Sequence, residues 1–286
     1  MKKWTLVAAI VGALLCLSSC CENKQEKSVM ARFVPERMDD FIWENEYICY
    51  RAYGKALEGN PTSPGFDLWV KTPGALVANE RYRLELEEGK SYHIDWGNGK
   101  DCYKVAVSLG AGASSPLVEG ELIYPSTNYR SFKILEESPD KVVFALIYPE
   151  WEVDGNMVSL EKIITVKGGT YFCEVEDVYS GDFDSLTVAA GIFRHEVEDE
   201  FLADDRLAIW EKASDTSVES EDGMIGVALV MKGADEVCTM QTGDKTHGLA
   251  IKKVRSGEKI HYFFGSCWSK GELKSSQEWF EMVEKI

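Results

Sequence analysis

From Leu117 to Phe264 the apolar positions come in short runs separated by turn residues. Leu117 to Tyr124, Tyr129 to Leu135, Val142 to Tyr148, Met157 to Val166, Tyr171 to Tyr179 and Leu186 to Phe193 are rich in Val, Ile, Tyr and Phe. Residues of this kind suit strands whose faces are half or wholly buried. Glu136-Glu137-Ser138-Pro139-Asp140 and Lys167-Gly168-Gly169-Thr170 have the composition of hairpin breaks. Further strands are predicted at Leu207 to Trp210, Ile225 to Met231, Glu236 to Gln241, Leu249 to Val254 and Lys259 to Phe264. With no long helix between them, these runs predict an all-β fold, a large antiparallel β-sandwich.

The first part of the body is less regular. Arg32 to Asn45 mixes charge with aromatics and shows no clean period, so it is expected to be an ordered lead-in segment. Glu46 to Tyr53 and Phe66 to Val70 are strand candidates flanking a Gly/Pro/Asn loop at Gly54 to Pro64. Lys71 to Glu80 is expected to be turn or loop, and Arg81 to Glu88 is the early segment with helical character. At the other end, Ser275-Ser276-Gln277-Glu278 has the pattern of a capping box. Trp279, Met282, Val283 and Ile286 follow at helical spacing, which predicts one C-terminal amphipathic helix docked on the sandwich. No internal repeat or linker divides residues 31–286, so they are expected to be a single domain.

The N-terminus changes the compartment. Lys2 and Lys3 precede an apolar run from Leu6 to Leu17, and Leu17-Ser18-Ser19-Cys20 resembles the lipobox of a bacterial lipoprotein. Residues 1–19 are expected to be a signal peptide, with Cys20 acylated after cleavage. Residues 20–30 would form a flexible tether. The apolar run is too short for a comfortable membrane span. The expected location is the periplasm or cell surface, with the protein anchored to the membrane by lipid.

A net charge of -17 and the lack of any basic run exclude nucleic acid as the expected partner. An anionic substrate would need a local basic pocket. Cys49, Cys102, Cys173, Cys238 and Cys267 lie far apart without a C-x-x-C pair, which argues against zinc; most are expected to be buried on strands. No cofactor is expected. Asp95, Asn98 and Asp101 offer oxygen ligands for calcium, but not at EF-hand spacing.

Reactive groups concentrate in Tyr92-His93-Ile94-Asp95-Trp96-Gly97-Asn98-Gly99-Lys100-Asp101-Cys102-Tyr103-Lys104. Glycines let such a loop bend and gather polar side chains around a ligand. On a strand, His93 and Asp95 would share a face, as base and orienting acid, with Tyr103 beside them and Lys104 as an electrostatic stabiliser. His195 ends a predicted strand beside Arg194 and the acidic run Glu196 to Glu200. An imidazole poised by a carboxylate carries protons near neutral pH. Arg194 could clamp a uronate carboxylate with two parallel hydrogen bonds. His93, His195, Asp95 and Tyr103 are thus the catalytic candidates. Arg51, Lys104, Arg194, Asp101 and the loop residue His247 are the substrate-binding candidates. His261, in an apolar strand, is expected to be structural.

Leu160 to Val166, Gly169 to Asp177 and Leu186 to His195, with its Gly191-x-x-x-His195 ending, resemble the middle of galactose mutarotase-like supersandwich proteins. Arg51-Ala52-Tyr53-Gly54, the His93-to-Ala113 stretch and Gly191-to-His195 resemble, over most of the mature chain, a family of exported lipoproteins of unknown function. The genes of that family accompany polysaccharide-degradation genes. The resemblance implies a mutarotase-like supersandwich and a carbohydrate context. Arg194-His195-Glu196-Val197 stands where aldose epimerases have a His-Pro-Tyr-Phe-type segment, so it does not imply mutarotase activity. Two functions are carried forward. One is an enzyme acting on an acidic, uronic-acid-containing oligosaccharide or polysaccharide by His-mediated acid/base chemistry, as a lyase, epimerase or hydrolase. The other is a non-catalytic glycan-binding lipoprotein.

Overall fold

A computed structural model describes residues 27–58, 64–213 and 222–286. The predicted signal peptide and Cys20 lie outside the described residues. The first sheet holds β1 (Val29–Val34), β2 (Asp40–Asn45), β3 (Cys49–Ala52), β4 (Asp67–Lys71) and β5 (Gly99–Asp101), paired in chain order. The third sheet holds β6 (Ala111–Val118), β7 (Glu121–Leu122), β12 (Leu186–Phe193), β16 (Glu236–Thr242) and β17 (Lys245–Val254), in the order β16-β17-β12-β6-β7. The remaining strands form the large sheet. It is made of β8 (Ser131–Glu137), β9 (Lys141–Val153), β10 (Asn156–Lys167), β11 (Phe172–Gly181), β13 (Val197–Ala203), β14 (Arg206–Lys212), β15 (Met224–Val230) and β18 (Lys259–Trp268), in the order β13-β14-β15-β18-β11-β10-β9-β8.

Strand pairs within all three sheets are antiparallel. The two five-stranded sheets pack on one face of the eight-stranded sheet and share one continuous apolar core with it. The expected antiparallel sandwich is therefore the observed one. The other face of the large sheet is covered by α2 (Ser276–Val283), whose Trp279 and Val283 are buried against Phe172, Trp210 and Val230. Ser275 Oγ accepts the Glu278 amide at 3.3 Å, so the cap read from Ser275 and Glu278 is formed.

Three sequence expectations need correction. The lead-in segment is a hairpin: β1 and β2 pair from Val29↔Asn45 to Val34↔Asp40. This puts Val29 and Met30 in a strand rather than in a tether. The alternation of β2 is hidden because both faces are buried. Phe41 and Trp43 enter the main core, while Asp40, Ile42 and Glu44 lie beneath a helix. That helix, α1 (Ala78–Glu88), begins three residues before the predicted Arg81 start, inside the stretch expected to be a loop. Its start is set by a distant side chain: the Glu44 carboxylate accepts the Val77 and Ala78 amides, each at 2.9 Å, and Lys71 Nζ at 3.1 Å. A carboxylate at a helix N-terminus satisfies orphan amides and complements the helix dipole. Third, the acidic run after His195, absent from the predicted strands, is the edge strand β13, whose Glu198, Asp199 and Glu200 are exposed.

All five body cysteines are free thiols, and all but Cys238 are buried. No helix among the described residues is long and apolar enough to cross a membrane.

Candidate functional site

Chemistry-bearing side chains gather on the outer face of the first sheet, beneath α1. Because side chains alternate along a strand, Arg51 points away from the core that receives Tyr50. It meets its cross-strand neighbour Asp67, with Nε donating to Oδ2 at 2.9 Å. Nη2 donates to Asp101 Oδ2 at 3.1 Å, and Nη1 donates to Tyr92 Oη at 3.3 Å and to Asp40 Oδ2 at 3.5 Å. The guanidinium also lies over the Tyr53, Trp69 and Tyr92 rings at 5.0, 5.1 and 5.4 Å. Arg37, from the β1–β2 turn, donates to the same Tyr92 Oη from Nε at 3.2 Å and Nη2 at 2.8 Å. Three carboxylates therefore share two arginines. Burial pushes the Asp40 carboxyl up to about 6, a rise that Arg51 and Arg37 only partly oppose. One Asp40 oxygen, Oδ1, has no hydrogen-bond partner.

His93 stands at the mouth of this network. Tyr92 and His93 form a turn, not the predicted strand, so His93 and Asp95 do not share a strand face. The ring partner of His93 is instead the Asp101 carbonyl, 3.1 Å from Nδ1, with Asp101 Oδ2 at 3.8 Å. A carbonyl can only accept, so Nδ1 carries the proton and Nε2 of the neutral ring keeps its lone pair. The side chain is 40% exposed. Asp95 shapes the loop instead: Oδ1 accepts the Gly97 amide at 2.8 Å and the Gly99 amide at 2.9 Å. Although burial raises the Asp95 carboxyl, these amides outweigh it and hold the group below its ordinary value. Gly97 and Gly99 sit at φ 102° and 106°, which other residues rarely adopt. Trp96 is anchored by Nε1 donating to the Ser91 carbonyl at 2.9 Å, and it is 48% exposed.

His195 is arranged differently. Its Nδ1 lies 2.8 Å from Glu211 Oε1, its Nε2 lies 2.7 Å from the Lys104 carbonyl, and its backbone amide donates to Glu211 Oε2 at 2.9 Å. Both ring nitrogens face acceptors, and only 8% of the side chain is exposed. Neither nitrogen is open to a substrate, so His195 cannot partner His93 as predicted. The two rings bind carbonyls three residues apart on the segment from Asp101 to Lys104, roughly 10 Å of extended chain. Tyr103, between them, is buried. Its ring meets His195 edge-on at 4.9 Å, and its hydroxyl donates to the Phe193 carbonyl at 3.1 Å. Burial, reinforced by Glu211, keeps the Tyr103 phenol protonated well above its usual range.

The remaining candidates scatter. Arg194 is paired with Glu200 at 2.6 Å rather than facing a ligand. Lys104 contributes its carbonyl to His195 and is exposed. His247 is not in a loop but on β17, wholly buried. Its Nε2 accepts the Leu109 amide at 3.4 Å and its Nδ1 bonds Thr242 Oγ1 at 2.9 Å. Burial, with Lys245 nearby, pushes it down to about 4. His261 is on β18 as expected but points outward, with Nε2 2.8 Å from Glu174 Oε1. Among the described residues no three of His, Cys, Asp and Glu form a metal-ligating group, and Asp95 and Asp101 face different partners.

Of the predicted residues, then, the fold brings together Arg51, Asp101 and His93 at one place, and Tyr103, Lys104 and His195 at another. Arg37, Asp40, Asp67 and Glu211 were not anticipated. Arg37-x-x-Asp40 was the available signal for the first two, hidden in a segment without period. Also unanticipated is a buried cluster between the sheets. Lys162 Nζ donates to Asp177 Oδ2 at 2.6 Å, Ser114 Oγ at 3.0 Å and Tyr262 Oη at 3.1 Å. Burial holds this ammonium below its ordinary value. An open hollow of about 1060 Å³, lined by residues such as Asp184, Lys253, Arg255 and Glu258, contains none of the candidates.

Residues 18–286 match a family described as a domain of unknown function, DUF4861. The chain belongs to the DUF4861 family. A curated relative, uncharacterized protein P7 of Formosa agariphila, is 29% identical over 272 residues, covering 90% of this chain and 66% of its own length. Among solved structures, a human-microbiome protein assigned as a kojibiose phosphorylase superposes with a TM-score of 0.46 at 11% identity, covering 90% of this chain and 34% of its own. The GH36 α-galactosidase AgaB of Geobacillus stearothermophilus gives 0.40 at 9% identity, covering 84% and 41%. The DUF4861 chain thus spans about two thirds of its curated relative and between a third and two fifths of these structures. None of these similarities assigns a role to a residue.

Proposed function

We propose that this DUF4861 protein is an exported, lipid-anchored enzyme acting on an acidic, uronic-acid-containing oligosaccharide, with His93 Nε2 as the proton acceptor. The observation that supports this is the contact between His93 Nδ1 and the Asp101 carbonyl, 3.1 Å apart, from which the tautomer follows. The Asp101 carbonyl holds Nδ1–H, which leaves an exposed basic nitrogen beside a doubly arginine-bound phenol. Carbon next to a carboxylate is acidified when that carboxylate meets a cation, and Arg37, partly exposed and sharing the Tyr92 hydroxyl with Arg51, is the cation put forward for that role. In an elimination, the proton on that carbon passes to His93 and the neighbouring C–O bond breaks. The departing oxygen takes a proton from solvent. Return of the proton to the opposite face would instead give epimerisation.

Trp96 favours the second reading, a glycan-binding lipoprotein without turnover. Its indole N–H is satisfied internally, so what it offers outward is a ring surface suited to sugar C–H groups.

Incubation of the protein with pectic, glycosaminoglycan and algal oligosaccharides, read by mass and ultraviolet absorbance, distinguishes the outcomes. A new absorbing double bond means elimination and a gain of water means hydrolysis. With unchanged mass, proton NMR separates an inverted centre from simple binding. His93→Gln is expected to abolish turnover and keep affinity. Full turnover in that variant would remove His93 from the chemistry.

A further inference from the structure

At the edge of the large sheet opposite β13, the strand is uncovered along its whole length: all seven residues of β8 are exposed. Phe132 and Ile134 pair in register with Leu146 and Phe144, both wholly buried, so they point to the core side of the sheet. They nevertheless remain 37% and 43% exposed, and Leu135 is 51% exposed. From the opposing sheet, Phe33 stacks on Phe132 at 5.4 Å. Phe132 and Ile134 thus expose apolar surface at the open side of the sandwich, with Phe33 against Phe132, and Leu135 adds a third exposed apolar side chain on the same edge strand.

The edge is not built to receive another strand. The register shifts between Ile134 and Glu136, a bulge that leaves Leu135 without a partner in the ladder. Ion pairs Lys133–Glu161 at 3.7 Å, Lys141–Glu136 at 2.7 Å and Lys27–Glu137 at 2.6 Å ring it. Bulges and edge charges are the devices that prevent strand addition. What suits this surface is an occupant that takes up apolar side chains and needs no backbone hydrogen bonds.

Its position supplies the occupant. The Ser28 amide donates to the Pro139 carbonyl at 2.8 Å, in the turn that follows β8, and Lys27 pairs with Glu137. Lys27 lies only seven positions after Cys20 along the chain. At full extension that stretch reaches about 25 Å. We propose that the Phe132–Ile134–Leu135 edge is the membrane-facing surface of the protein, seated in the interfacial layer of the bilayer that holds the Cys20 lipid. This rests on the lipid anchor of the proposed function and on no part of its chemistry. Apolar side chains entering the headgroup boundary would add to the hold of the lipid and fix which face of the protein meets the bilayer.

The test uses the full-length chain purified from membranes and reconstituted in phosphatidylethanolamine and phosphatidylglycerol vesicles carrying a diazirine-labelled acyl chain. Photolysis is expected to concentrate cross-links in residues 131–137. Leu135→Lys, alone or with Ile134→Lys, is expected to lower them on the order of tenfold, the cost of losing one buried aliphatic side chain. Met157→Lys, at a comparably exposed apolar position beyond the far end of β8, is expected to leave them unchanged. Near-ultraviolet circular dichroism checks that each variant is folded. The mass of the N-terminal peptide reports acylation separately. An acylated Cys20 with cross-links spread elsewhere overturns the placement and leaves the anchor standing; an unmodified Cys20 overturns both.

Discussion

His93 and His195 each hydrogen-bond a backbone carbonyl of the same short segment, yet they end in opposite chemical states. The His93 ring is held at one nitrogen and open at the other. The His195 ring is held at both, by Glu211 and by the Lys104 carbonyl. What separates a candidate base from a structural clamp is therefore the number of acceptors within reach, a property of strands distant in sequence. Glu211 comes from β14 and sits 2.8 Å from His195 Nδ1, whereas the carboxylate beside His93, that of Asp101, stays 3.8 Å from its ring.

The harshest way to break the comparison is to dismantle the network behind His93. Arg51→Met leaves Asp40, Asp67 and Asp101 buried without their shared cation, and unfolding in urea should show a loss of about 3–5 kcal/mol. A stability near wild type would mean that Arg37 alone neutralises the cluster.

The two ends also differ in sign with pH. His247, whose ring packs on Phe193 beside His195, is pushed down to about 4 from 6.5. The unfolded chain binds its proton first, so its contribution is complete above pH 6.5 and is lost as pH falls towards 4. Asp40 is raised to about 6 from 3.8. The folded chain binds that proton first, so its contribution grows as pH falls from 6 towards 4. Each amounts to about 3 kcal/mol, and they nearly cancel. In the wild type these two contributions should offset each other in unfolding free energies measured from pH 4 to 7, so removing either group should tilt the profile relative to it. Relative to wild type, stability should fall towards acid in Asp40→Asn and rise towards acid in His247→Gln. The same slope in both variants would refute the assignment.

A direct exchange sharpens the contrast further. His195→Gln should cost about 1–3 kcal/mol of stability, because buried Glu211 loses its partner. His93→Gln, at a half-exposed turn, should stay within about 0.5 kcal/mol. Thermal melts of the pair check both, and equal losses would mean that the two sites do not differ as described. The smallest effect is expected from Trp96→Ala, which should leave the melting temperature unchanged. It should weaken oligosaccharide binding by about 1 kcal/mol in calorimetry. Unaltered binding would remove the platform.

Much of the fold was legible in the chain. From Leu117 onward, runs of Val, Ile, Tyr and Phe marked strands because one or both faces of each meet the core. β1 and β2 escaped detection because both faces of β2 are buried, and its outer face mixes polar Asp40 and Glu44 with apolar Ile42, which erases the alternation. The burial of Asp40 and Glu44 is satisfied by Arg51, Tyr82, Lys71 and the α1 amides. Of the candidate site, the cluster of Arg51, Asp101 and His93 was foreseeable as a set of residue types. The capture of His195 by Glu211, of Arg194 by Glu200 and of Asp95 by its own loop was not. Each is a competition for a partner whose winner depends on tertiary distance.

By itself the amino-acid order determined the antiparallel β architecture, the capped C-terminal helix and the concentration of ionisable groups between Tyr92 and Lys104. These follow from local periodicity, capping and turn chemistry, which act over a few residues. Only the tertiary structure decided which imidazole keeps a free lone pair. That choice depends on which acceptors β14 and the Asp101-to-Lys104 segment bring within 3 Å, and hydrogen bonds are too short-ranged for sequence spacing to reveal them.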